Sequence, residues 1–397
     1  MPAPALNRNG GLSTPWLLVL VFLATTAPLS TDLYLPGFPR IQQEFAAAAS
    51  GVQLTLTGFL LGMAFGQLAF GSLSDRFGRL RPLLVGNMGV LTASAVAALA
   101  PNLEVLVAAR FFQGLFGAAG IVIARAVIVD LTKGPETART MSLMMTVAGV
   151  APAVAPSIGA LIEGPIGWRG VMWTLAVLFL LMLVSVSTVL RETRPPEARG
   201  GHSLLGGLAQ LVRVPRYIGF AAVFATTFAV MMAYISASPF VYQNVMGFSA
   251  LGYGVLFGTN AVGLISAGYL SSRIVRRVGP ERIIAIAVPF LLAFTVLVLV
   301  VAVLPVPRWL LAVPIWCAVT TVGFVMGNST ALALDAVRHV SGSGSAMLGF
   351  SQFIFGAAVS PLSGIAGEDT ALPMAVIMLV AASGSMVLVS LLRRAPA

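Results

Sequence analysis

Charge is what this 397-residue chain has least of. Only 9% of its residues are Asp, Glu, Lys or Arg, against roughly 25% in an ordinary soluble domain. So few charges cannot cover a water-facing surface of this size, which excludes a soluble enzyme and a charged disordered chain. Cysteine is almost absent as well. Cys317 stands alone, so no disulfide can form within the chain and a secreted disulfide scaffold is excluded. The two histidines, His202 and His339, belong to no Cys/His/carboxylate cluster. No metal site and no nucleophile–base pair is therefore expected, and the chain is read as a non-enzyme. Lysine occurs once, at Lys133.

What fills the chain is apolar. Hydrophobic residues make up 58% and the mean hydropathy is +0.96. Apolar runs of roughly 20 residues recur from end to end, the length of a bilayer-spanning helix. The alternating ten-residue segments of a membrane β-barrel are not seen. The pattern predicts an all-α integral membrane protein of twelve spans, near 15–35, 51–73, 82–100, 103–130, 140–162, 168–190, 217–242, 250–273, 282–304, 309–333, 341–365 and 371–392. The first is read as an uncleaved span, because its apolar stretch is too long for a signal-peptide core. Residues 191–216 hold Pro195, Pro196, Gly200, Gly201 and five arginines. They read as a linker between an N-terminal six-helix bundle, 1–190, and a C-terminal one, 217–397. Within the linker, 203–212 has the pattern of a short amphipathic surface helix.

The net charge of +10 would suggest nucleic acid in a soluble protein. Its distribution says otherwise. With both termini placed in the cytoplasm, 18 of the 23 basic residues fall on the inner side and only Arg40, Arg169 and Arg308 on the outer. The basic excess is a topology signal, and no nucleic-acid partner is expected.

The two halves echo each other. Gly71-Ser-Leu-Ser-Asp-Arg76 follows span two and Gly268-Tyr-Leu-Ser-Ser-Arg273 follows span eight. Ala155-Pro-Ser-Ile-Gly159 in span five is matched by Ser360-Pro-Leu-Ser-Gly364 in span eleven. Repeats of this kind belong to transporters whose substrate site lies near mid-membrane between the halves.

Charges inside the spans are costly, at least about 2.5–3.5 kcal/mol each at the bilayer centre, and mark function by default. Asp32 in span one and Arg110 in span four fall at similar heights, so they are candidates for a proton-coupling pair. Moving one relative to the other would change the proton affinity of Asp32. Arg125, nearer the inner end of span four, reads as a structural, snorkelling charge. Gly149, Pro152, Pro156 and Gly159 suggest a bent fifth span at an interface, with Pro361 and Gly364 as its counterpart in span eleven. Tyr34, Gln53, Gln67, Gln113, Tyr234, Asn260, Asn328 and Gln352 are candidate cavity residues. Each is also open to the plainer reading of an interhelical hydrogen bond. An apolar, aromatic cavity with few charges suits neutral or amphiphilic organic molecules.

Several of these segments are similar to the major facilitator superfamily. Gly71-Ser-Leu-Ser-Asp75-Arg76-Phe-Gly78-Arg79 resembles its signature loop between spans two and three, with Leu80 where a basic residue is usual. Arg110-Phe-Phe-Gln113-Gly114, continuing to Ala126 and Asp130, resembles the span-four motif of proton-coupled members. Ala155-Pro156-Ser-Ile-Gly159 resembles the span-five antiporter motif, departing at Ala155 and Ala160 where glycines are common. Ser30-Thr-Asp32-Leu-Tyr34-Leu-Pro36, Ala124-Arg125-Ala126 and Tyr234-Ile-Ser-Ala-Ser-Pro239 resemble the bicyclomycin/chloramphenicol-resistance subfamily of drug/proton antiporters. The resemblance implies efflux of small hydrophobic drugs by proton antiport, driven by the proton gradient with no cofactor, from a monomer in a bacterial inner membrane. It implies Asp32 as the protonatable group and Arg110 as its partner. It also implies a cytoplasmic charge cluster of Asp75, Arg76, Gly78, Arg79 and Asp130. The alternative on the same scaffold is an importer or facilitator of a small organic metabolite.

Overall fold

A computed structural model describes residue 6 and residues 12–133, 135–195, 211, 213–337 and 341–394. Nearly all of these are helical. The expected surface helix over 203–212 lies outside the described residues, Leu211 apart.

The first span is broken. Helix α1 (Thr14–Ala24) ends at Thr25, α2 (Thr26–Asp32) follows, and a 3-10 turn (Leu35–Gly37) leads into α3 (Phe38–Phe45). Pro28 accounts for the first break, because a proline ring clashes with the carbonyl four residues earlier, here that of Ala24, the last residue of α1. The other spans of this half are α4 (Ala49–Phe77), α5 (Leu80–Ala98), α6 (Leu103–Leu131) and α7 (Pro135–Val189). Gly71, expected in a loop, is inside α4, whose turn into α5 is only Gly78 and Arg79. The 55-residue α7 is interrupted at Gly167, where φ is 69°. Its apolar part, Val150–Val189, has 40 residues. At 1.5 Å per residue that is about twice the thickness of a bilayer core, so it is two traverses joined at the glycine.

The second half has α8 (Pro215–Phe240), α9 (Ala250–Val278), α10 (Pro280–Val303), α11 (Ala312–Asp335), α12 (Ser341–Val359) and α13 (Leu372–Arg394). Among the described residues ten helices are long and apolar enough to cross a membrane, and the bent first pair makes eleven. The traverse hidden in α7 brings the number to the expected twelve. Pro361 does not kink a helix, as the sequence suggested. It opens a 3-10 turn, Pro361–Gly364, that closes the eleventh span.

Packing divides the chain into two compact units, Met1–Leu35 with Gly58–His202 and Pro36–Thr57 with Ser203–Ala397. In the first unit, glycines set the helix spacing. A Cβ on Gly62 would be 2.0 Å from the Phe111 carbonyl oxygen, one on Gly66 2.2 Å from that of Leu115, and one on Gly114 2.0 Å from that of Phe59. Backbones this close are the signature of small-residue helix packing in membranes. In the second unit, Pro36–Thr57 is held by polar groups. Gln53 Nε2 donates to the Ser236 carbonyl at 3.0 Å, Ser360 Oγ donates to the Gln53 carbonyl at 3.3 Å and Thr57 Oγ1 donates to the Ala357 carbonyl at 3.2 Å. Gly364 is required here, because its Cβ would stand 2.5 Å from Gln53 Oε1.

Candidate functional site

Asp32 is the last residue of α2 and is buried, 4% exposed. Gly159 of α7 packs against the residue that follows it. A Cβ on Gly159 would be 1.8 Å from the Leu33 carbonyl oxygen. The antiporter-like glycine therefore packs on the backbone next to the carboxylate.

Arg110 of α6 is fully buried. Its Nη2 donates to the Ser30 carbonyl at 2.7 Å, and its Nη1 donates to Gln113 Oε1. Gln113 Nε2 in turn donates to Ser94 Oγ at 2.6 Å. The guanidinium lies over two rings, 4.3 Å from the Tyr34 centroid and 4.6 Å from that of Phe59. Such contacts offset part of the desolvation of the charge. The ion pair that the sequence left open between Asp32 and Arg110 is not formed among the described residues. The guanidinium is occupied by Ser30, two residues before Asp32, and by the ring of Tyr34, two residues after it. The structure gathers Tyr34, Arg110 and Gln113 next to Asp32, whereas the sequence pairs only Asp32 with Arg110 and offers Tyr34 and Gln113 as separate cavity candidates. Sequence reasoning missed Ser30 and Phe59, whose contribution is a carbonyl and a ring face that no charge pattern shows.

The charge cluster is built around Arg79. Its Nε donates to Asp130 Oδ2 at 2.8 Å and its Nη2 to Asp130 Oδ1 at 3.3 Å, while its Nη1 reaches Asp75 Oδ1 at 2.9 Å and Ser74 Oγ at 3.0 Å. Burial alone would lower its pKa, but Asp130 and then Asp75 outweigh that and the pKa is raised. The residues after α7 complete the cluster. Glu192 Oε1 accepts the Arg79 backbone N–H at 2.8 Å and Oε2 that of Leu80 at 3.2 Å, capping the N-terminus of α5. Arg194 Nη1 donates to Asp75 Oδ1 at 2.7 Å, and Thr193 Oγ1 donates to Asp130 Oδ2 at 3.1 Å. Gly78 has φ 88°, and its Cβ would be 2.3 Å from Glu192 Oε2. Arg76 is the exception. It is exposed, lies over the Phe77 ring at 5.3 Å and joins no ion pair among the described residues.

In the second unit, Asn260 of α9 donates to Tyr234 Oη at 2.9 Å and to Tyr242 Oη at 3.0 Å. Tyr234 stacks on Phe257, with centroids 5.5 Å apart, and Tyr242 and Tyr253 extend the cluster. Asn328 is elsewhere. It donates to Ser271 Oγ at 2.7 Å, and Ser271 lies eleven residues beyond Asn260 along α9, about 16 Å at 1.5 Å per residue. Gln352 is half-buried and makes no side-chain hydrogen bond among the described residues. Tyr234 and Asn260 are therefore brought together, while Asn328 makes an interhelical hydrogen bond to Ser271 away from them. Arg125 and Pro152 are half-buried on α6 and α7, and Pro156 is buried.

Residues 20–361 match the Major Facilitator Superfamily. The chain belongs to that superfamily. It is 35% identical over 381 residues to an uncharacterized MFS-type transporter, YdgK, of Bacillus subtilis, covering 95% of this chain and 94% of that one. It is 30% identical over 363 residues to a bicyclomycin resistance protein homolog of Haemophilus influenzae, covering 90% and 91%. A crystal structure of a bacterial homolog to the human lysosomal transporter Spinster shares the fold, with a TM-score of 0.73, 15% identity and coverage of 97% and 100%. The superfamily's twelve-helix fold is thus that of this chain, a multi-pass membrane transporter. Residues 192–194 had a weak signal in the sequence. They are an acid, a hydroxyl and a base, separated from a long apolar run only by Arg191, in a stretch read as basic linker.

Proposed function

We propose that the chain is a secondary active exporter, exchanging protons for small hydrophobic or amphiphilic compounds such as bicyclomycin or chloramphenicol. The observation that carries this is Asp32, a carboxylate buried where a broken helix ends, beside an arginine that binds the neighbouring backbone instead of neutralising it. A group so placed can take up and release a proton as its surroundings change, without a permanent counter-charge. Arg110 and Gln113 orient the turn that carries it. Tyr34, Tyr234 and Asn260 offer aromatic and amide surface to the substrate, with Asn328 and Gln352 as further candidates. The drug-resistance name of the Haemophilus relative supports the substrate class. In this reading residues 1–190 and 217–397 rock about the linker 191–216. The Arg79 cluster holds the cytoplasmic side, and both termini face the cytoplasm of a bacterial cell. A monomer suffices, no cofactor takes part, and no chemical step is catalysed.

Inverted membrane vesicles with an acidic lumen test this. The wild type should accumulate labelled chloramphenicol, and Asp32→Asn should not. Equal gradient-driven uptake by the variant would remove Asp32 from the mechanism. Accumulation only under the opposite gradient would make the protein an importer.

A further inference from the structure

We infer that the corner where α8 and α10 begin and α13 ends binds an anionic phospholipid, its phosphodiester held by guanidinium groups. The corner lies wholly in the second unit. Arg216, in the first turn of α8, pairs with Glu281 in the first turn of α10. Gly219, three residues further along α8, lies against the end of α13, where its Cβ would be 2.4 Å from Leu392 Cδ2. The helix α13 packs along both α8 and α10. Beneath the corner Tyr217, Phe220, Ile284, Val288 and Val389 share one buried core.

The charge gathered here is one-sided. Arg276 and Arg277 end α9, and Arg282 opens α10 just across the Gly279 turn. Arg393 follows Leu392. All four are exposed and join no ion pair among the described residues. Glu281 is the acid of the corner, and Arg216 already answers it. Asp335, at the end of α11, is the other acid on this side of the unit.

The first half disposes of its arginines differently. Arg79 is held by Asp75 and Asp130, and Arg194 by Asp75. The repeat puts Ser272 where the first half has Asp75, so that internal partner is missing from the second half. Arginines that only fix orientation need to lie on one side of the membrane. They need not converge on one corner. Basic pockets between membrane helices are sites for anionic lipid headgroups, and planar guanidinium groups match phosphate oxygens in pairs.

The neighbouring surface favours a lipid over free phosphate. Ile286 and Phe290 follow Arg282 on one stripe of α10 and are 58% and 56% exposed. On α13, Val387 and Leu391 precede Arg393 and are each 57% exposed. Acyl chains can lie along these apolar stripes while the phosphate meets the arginines. Such binding asks nothing of Asp32, so it goes beyond the efflux reading.

Native mass spectrometry of the full chain in detergent provides the test. Palmitoyl-oleoyl phosphatidylglycerol and the phosphatidylcholine of the same chains are added in turn. The first phosphatidylglycerol should bind about tenfold more tightly than the first phosphatidylcholine. Arg282→Gln combined with Arg393→Gln should bring the two lipids together. Arg282→Lys combined with Arg393→Lys should keep most of the preference. Arg139→Gln, which removes an exposed arginine of the first half, should leave it unchanged. Equal binding of the two lipids by the wild type would overturn the site. A loss in Arg139→Gln as large as in the double glutamine variant would do the same, since it would show diffuse attraction. Displacement of phosphatidylglycerol by equimolar inorganic phosphate would overturn it too, because the corner would then hold an ion and no lipid. Vesicle uptake by wild type and Asp32→Asn is read separately, so loss of one reading leaves the other standing.

Discussion

Glu192 shows how much one side chain can organise. Its two oxygens accept the backbone N–H groups of Arg79 and Leu80, and the glycine before them has no Cβ to collide with it. Arg79 in turn is locked to Asp130 and Asp75. Capping a helix N-terminus with an acceptor contributes about 1 kcal/mol, and a carboxylate also meets the favourable end of the helix dipole. Glu192→Ala should therefore lower the thermal midpoint of the purified protein by a few degrees. Glu192→Gln, which keeps an acceptor, should lower it less. Gly78→Ala should cost more than either, because it adds the strain of φ 88° to the clash with Glu192. Equal midpoints for all three would mean that the cap contributes nothing.

At the scale of the element, glycines decide which helices touch. Their effects differ by position in a way the sequence does not show. Gly62 of α4 has the backbone of α6 where its Cβ would be, with the Phe111 oxygen at 2.0 Å and the Leu115 nitrogen at 2.6 Å. Neither atom can move without the whole helix. Gly164 of α7 has nothing within 4 Å. Gly62→Ala should destabilise by about 1–3 kcal/mol or more, the usual range for overpacking. Gly164→Ala should be neutral or slightly stabilising, because it stiffens the unfolded chain. Thermal unfolding in detergent separates the two. The same spacing matters to the site, since Gly114 brings Phe59 close enough to face Arg110. The elements also show where local rules lose. Pro152 and Pro156 remain inside a helix that continues past them, whereas Pro361 ends one.

For the whole molecule, the excess of basic residues on one side of the membrane predicts a topology that fusions can check. A periplasm-dependent phosphatase joined after Arg394 should be inactive. The same enzyme inserted at Gly247, in the turn between α8 and α9, should be active. The reverse pattern would invert the orientation.

Much of this protein was determined by its sequence alone. Apolar runs of spanning length dictate helices, since in lipid each backbone group must be bonded within its own segment. The two similar halves, the linker and the charged residues worth watching follow from the same pattern, because each charge within a span is an exception that needs a reason. Asp32 and Arg110 were legible for that cause, Gln113 as a polar residue within a span, and the Arg79 cluster only through its resemblance to the superfamily's signature loop. Only the tertiary structure decided what those residues touch. Arg110 binds a carbonyl and two rings in place of Asp32, Glu192 joins the cluster from over a hundred residues away, and Asn260 meets Tyr242 while Asn328 does not. Carbonyls, ring faces and the missing Cβ of a glycine carry no signature in a hydropathy pattern. They acquire meaning only when two helices are close enough for one atom to matter.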